Sequence, residues 1–80
     1  MRVYFTHRAE KDLRKIGFAG RTKTQRGIKK LQSNSLSGKK LKGELNDRYA
    51  IKIWPYRIIY RLKQKNLEVL RILHRQGAYK

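Results

Sequence analysis

The 80-residue chain contains no cysteine, which removes disulfides, zinc ribbons, iron–sulfur clusters and thiol nucleophiles from consideration. Acidic side chains are scarce, with five Asp or Glu against 22 Lys or Arg. Glu10, Asp12, Glu44, Asp47 and Glu68 lie scattered among basic residues. No paired-carboxylate site is expected, and these acids and the two histidines show no metal-ligand spacing. Neither a metal nor any other cofactor is therefore expected. The six glycines form no phosphate-cradling loop. No apolar run approaches the roughly 20 residues that span a bilayer, and the opening residues are too few and too polar for a secretory leader. The length leaves no room for a two-domain enzyme, a dinucleotide-binding fold or a barrel of helices and strands. One domain over residues 1–80, cytoplasmic and away from membranes, is the expectation.

What the chain has in excess is positive charge, a formal +17. Residues 1–40 carry 12 basic and 2 acidic side chains, and residues 41–80 carry 10 and 3. The charge is spread through the fold, not confined to a tail. Such a surface attracts polyanions. Nucleic acid is favoured over membrane, because no segment is strongly apolar on one side and basic on the other. Hydrophobic residues still make up 39% of the chain and fall in periodic blocks, so the chain folds.

Met1 to Phe5 alternates as a short strand, and Thr6 is placed to cap a helix carrying Ala9, Leu13 and Ile16 on one face. Gly17 ends that helix. Gly17-Phe18-Ala19-Gly20 reads as a turn, with Phe18 plugging the junction. A second helix is expected from about Thr22 to Ser33, with a thin apolar face of Ile28 and Leu31 and an interior glycine, Gly27, that costs about 1 kcal/mol against alanine. Asn34 to Gly43 reads as a loop ending in a basic segment. Three strands follow. Tyr49, Ile51 and Ile53 alternate with Ala50, Lys52 and Trp54, up to the single proline, Pro55. Ile58, Tyr60 and Leu62 alternate with Arg57, Ile59 and Arg61. After a turn at Lys65-Asn66, Leu67, Val69, Arg71 and Leu73 alternate with Glu68, Leu70, Ile72 and His74. The expected fold is α+β, with two N-terminal helices on a four-stranded antiparallel sheet in the order β-α-α-β-β-β.

Lys, Arg, His and Tyr suffice for metal-free cleavage of RNA, in which the 2′-hydroxyl is the nucleophile and cations stabilise the phosphorane. Lys52 and Arg57 flank the Trp54-Pro55-Tyr56 connection and are expected to face one another. If the last strand pairs with the one starting at Arg57, Arg75 and Tyr79 join the same patch, with His74 beside it. Tyr79 reads equally as a cap on the core, and His74 as a packed strand-end residue. Trp54 and Tyr56 read as core residues or as base-stacking platforms. Lys29, Lys30, Lys39, Lys40, Lys42 and Arg48 are expected to contact RNA backbone.

Tyr49-Ala50-Ile51-Lys52-Ile53, Tyr56-Arg57-Ile58-Ile59-Tyr60 and Ile72-Leu73-His74-Arg75 with Tyr79, preceded by Ala9-Glu10-Lys11-Asp12-Leu13 and Leu41-Lys42-Gly43, resemble the RelE/ParE superfamily of toxins from type II toxin–antitoxin systems. The resemblance covers essentially the whole chain. It implies a ribosome-dependent messenger-RNA endonuclease needing no metal. Lys52 would abstract a proton, Arg57 and Arg75 would stabilise the phosphate, Tyr79 would orient the substrate, and His74 would match a C-terminal general acid. Ala50 stands where many RelE-type members have a second lysine. The implied partners are a short acidic antitoxin resembling RelB, the ribosome with its messenger RNA, and promoter DNA reached only through the antitoxin. The alternatives are a ParE-like gyrase poison and a non-catalytic RNA- or ribosome-binding module.

Overall fold

The computed structural model describes residues 2–34, 38–40 and 47–74. The elements run β1 (Val3–Phe5), α1 (His7–Lys15), α2 (Gly17–Ser33), β2 (Lys39–Lys40), β3 (Arg48–Ile53), β4 (Tyr56–Lys63) and β5 (Asn66–His74). The strands form one sheet in the order β1-β5-β4-β3-β2. Two helices on an α+β sheet match the expectation, but the sheet has five strands and is mixed. β1 pairs parallel to β5, and β2 pairs antiparallel to β3. The alternation of Val3 and Phe5 specifies which face they present, not the direction of their neighbour. β2 is two lysines long and too short to show any alternation at all.

Thr6 joins strand to helix. Its N–H donates to Val69 O at 3.0 Å, its hydroxyl donates to Leu70 O at 3.0 Å, and the same oxygen accepts from the Ala9 N–H at 3.2 Å. It is thus the N-cap expected from the sequence. Gly17, at φ +72°, turns the chain by itself, since a residue without Cβ enters the left-handed region freely. The second helix therefore restarts at once, not at Thr22. Phe18 falls about 200° around that helix from buried Gly20 and is 81% exposed, so it does not plug the junction.

Gly27 has a packing reason. A Cβ there would lie 2.7 Å from Ile53 Cγ1 and 2.9 Å from Ile58 Cδ1. The helix gives up propensity at this position and gains close approach to the sheet. Ala9, Ile28, Leu31, Ile51, Ile58, Tyr60, Leu67, Val69 and Ile72 form the core between helices and sheet. Within it the Tyr60 and Tyr49 rings stack at 5.5 Å, and the Tyr60 hydroxyl accepts from the Gly38 N–H. Burial pushes the Tyr60 phenol above its ordinary pKa, outweighing the Gly38 N–H, which pulls it down.

The β4–β5 turn is Gln64-Lys65, both at positive φ, with Lys63 paired to Asn66. This is one residue earlier than expected, and it is the primed geometry that two-residue hairpins favour. The strict alternation expected for β5 also fails. Tyr60 pairs with Val69 but Ile59 pairs with Arg71, so Leu70 is an extra residue. Such a bulge reverses the phase of a strand. Beyond it Ile72 is buried and Arg71 and Leu73 take the other face. No helix among the described residues is long and apolar enough to cross a membrane.

Candidate functional site

Cross-strand register sets the face turned away from the helices. Three rows cross it: Arg48, Arg61 and Glu68; Ala50, Ile59 and Arg71; and Lys52, Arg57 and Leu73. Lys39 joins the middle row through Ala50, whereas Lys40 pairs with Tyr49 and takes the helix-side parity.

The first and last rows differ in their charge balance. Arg48 and Arg61 are like charges directly opposite one another, an unfavourable arrangement. Carboxylates offset it: Asp47 Oδ1 lies 3.8 Å from Arg48 Nε and Asp47 Oδ2 3.8 Å from Arg61 Nη1. Glu68 accepts from Arg61 Nε at 2.6 Å. Lys52 and Arg57 are also directly opposite, as expected from their positions around the turn. Their row ends in Leu73 and contains no acid. Residues opposite one another lie about 4.5–5.5 Å apart at Cα, so two cationic side chains leave this face as neighbours. Charge-assisted hydrogen bonds from both could reach one anion placed over this face.

His74 takes a different position. It is opposite Tyr56, on the parity of Ile58 and Ile72, and so on the helix side. Its ring meets Tyr56 edge-on with centroids 5.4 Å apart. The two rings, with Lys15, Ile16, Asp12, Ile72 and Leu73, line an open cleft of about 370 Å³. The structure brings Lys52 and Arg57 together and places His74 at the same end of the sheet but across it. Arg75, Tyr79 and Lys42 lie outside the described residues. Of the expected RNA-backbone contacts, Lys29, Lys30, Lys39 and Lys40 are exposed, and Arg48 is half-buried beside Asp47.

Sequence reading gave Asp12 no role, naming it only among the scattered acids and within the Ala9-Glu10-Lys11-Asp12-Leu13 motif. Arg71 Nε and Nη2 donate to its two oxygens at 2.8 and 3.3 Å, and the Ile72 N–H donates to Oδ2 at 3.0 Å. Burial disfavours the charged carboxyl, but the Arg71 guanidinium, the Ile72 N–H and Lys15 outweigh it, holding the pKa below its ordinary value. The same pairing raises that of Arg71. No short spacing signals this contact between residues 59 apart. Lys23 was missed too: its Nζ donates to Trp54 O at 3.2 Å, tying α2 to the β3–β4 turn.

Comparison with known proteins accords with this layout. The family model for the ParE toxin of type II toxin–antitoxin systems matches residues 3–79. Among solved structures, the YoeB/ParE toxin from Agrobacterium tumefaciens superposes with a TM-score of 0.80 at 19% identity, over 92% of this chain and 98% of that one. The RelB–RelE antitoxin–toxin complex from Methanococcus jannaschii gives 0.76 at 26% identity, over 95% and 94%. The intact E. coli RelBE toxin–antitoxin complex gives 0.77 at 25% identity, over 89% and 92%. No curated protein matches the chain. The chain therefore belongs to the ParE toxin family, within the RelE/ParE superfamily of type II toxin–antitoxin systems.

Proposed function

We propose that this toxin is a ribosome-dependent messenger-RNA endonuclease that uses no metal. The observation that carries the reading is the Lys52–Arg57 pair, two cations directly opposite in a row without an acid. In the reaction, the 2′-hydroxyl oxygen attacks the adjacent phosphorus while Lys52 helps remove its proton. The bond from phosphorus to the 5′-oxygen breaks, the 5′-oxygen takes up a proton from solvent water, and a 2′,3′-cyclic phosphate and a 5′-hydroxyl are left. Arg57 stabilises the charge that builds on the non-bridging oxygens. By the family resemblance, Arg75 adds a second such contact and Tyr79 orients the substrate. His74, packed against Tyr56 on the helix side, is assigned to holding the strand end from which Arg75 departs. Exposed Lys29, Lys30, Lys39 and Lys40 grip the backbone of messenger or ribosomal RNA.

The partner is a short acidic antitoxin. A net charge of +17 favours it electrostatically, and the Methanococcus jannaschii and E. coli relatives are toxins solved in complex with RelB. The pair acts in the cytoplasm, and it meets promoter DNA through the antitoxin.

The test is translation of a defined messenger in a purified system, with wild type and Arg57→Ala, followed by mapping of the RNA ends. Cuts at codon positions that persist in EDTA and disappear in the variant are expected. A second reading, a gyrase poison, is favoured by the match to the ParE family model. Intact RNA together with trapped gyrase–DNA cleavage complexes would establish that reading instead.

A further inference from the structure

Trp54 is the chain's single tryptophan and is 65% exposed. This removes one of its two sequence readings, since it is not a core residue. Its backbone is fixed on both sides. Ile53 before it packs against the core, Pro55 follows, and its carbonyl accepts from Lys23 Nζ at 3.2 Å. β3 ends at Ile53, and Trp54 lies in the turn that joins Lys52 to Arg57, two residues from the one and three from the other.

We infer that Trp54 is a stacking platform for an unpaired nucleobase of the RNA whose phosphate lies on Lys52 and Arg57. A ring beside a cationic groove is the general device for holding single strands. The cations take the backbone, and the ring takes a base by its face with little regard to sequence. Holding a base on Trp54 presents the neighbouring phosphate to the cation pair in one orientation, which makes Trp54 a positioning residue. The chemistry of the neighbourhood favours nucleic acid over an apolar protein surface, because Lys23 holds the Trp54 carbonyl and the turn carrying Trp54 joins Lys52 to Arg57. The inference rests on the reading of this face as an RNA-binding one.

The test uses a short single-stranded 2′-O-methyl RNA, which cannot be cleaved, and an abasic oligonucleotide of the same length and charge. Trp54 emission should be quenched by the base-bearing strand, which should bind about tenfold more tightly than the abasic one. Trp54→Ala should erase that difference, and Trp54→Phe should keep part of it. The wild-type titration needs no variant, so a misfolded substitution does not blunt the test. Binding without quenching, no binding, or a base preference that survives Trp54→Ala would overturn the inference. Quenching by an acidic peptide but not by RNA would overturn it in favour of a protein-binding ring. Quenching without cleavage under translation leaves the platform standing and removes the nuclease. Cleavage without quenching does the reverse.

Discussion

Asp12 and Arg71 are 59 residues apart in sequence and share two hydrogen bonds, the shorter of 2.8 Å. A third, from the Ile72 N–H, reaches the same carboxylate. The contact ties α1 to β5 beyond the point where β1 has ended. Asp12→Ala removes the acceptor and leaves a half-buried guanidinium and a backbone N–H without it. A loss of about 2 kcal/mol at neutral pH is expected, read as a lower urea midpoint with unchanged slope.

The same pair dictates an acid response. Asp12 titrates below its ordinary value of 3.8 in the folded state. Its contribution is therefore complete above that value and is lost as pH falls through the lowered folded value. Wild type should be more stable than Asp12→Asn near neutrality, and the gap should close on acidification below pH 3.8. Urea unfolding of both proteins across that range checks the sign. A gap that widens in acid would contradict the pairing.

Lys52→Glu separates stability from function. It turns a like-charge cross-strand pair into an opposite-charge one, worth roughly 0.2–1 kcal/mol of added stability. It also removes the proposed base and half of the phosphate grip. A raised melting temperature with loss of RNA cleavage is expected. A destabilised protein would show that Lys52 contributes to the fold itself.

Gly27→Ala sets two effects against each other. Helix propensity gains about 1 kcal/mol, but the new Cβ would sit 2.7 Å from Ile53 Cγ1, and overpacking of this kind costs roughly 1–3 kcal/mol. The clash lies against core side chains on a neighbouring strand, so net destabilisation is expected in thermal unfolding.

Salt dependence tests the backbone-gripping lysines. Each of Lys29 and Lys30 that contacts a phosphate should contribute roughly 0.7 to the slope of log affinity against log salt for single-stranded RNA. The double alanine variant should flatten that slope and weaken binding evenly across sequences.

Much of this molecule was readable before its structure. Thr6 as cap, Gly17 as stop, the Lys52–Arg57 opposition and the helix-plus-meander order all follow from local chemistry and short spacings. What escaped was non-local or brief. β2 is two lysines long. Gly17 compresses a turn into one residue, so the second helix begins earlier and Phe18 faces water. The extra residue at Leu70 reverses the parity of β5, which carried His74 to the other face from Arg57. Period-two patterns assume an uninterrupted strand, and neither the bulge nor the Asp12 contact leaves a mark in local composition.

The Leu70 bulge and the Asp12 carboxylate together change what borders the last strand. Up to Val69, β5 is flanked by a backbone ladder that is indifferent to side-chain identity. Past the bulge, one carboxylate replaces that ladder. On the β1 side, the C-terminal half of the strand is therefore held by a side chain that a single codon can alter, while β4 still pairs along its other side. Substitutions at Asp12 can loosen that edge while the pairing that defines the sheet stays as it is.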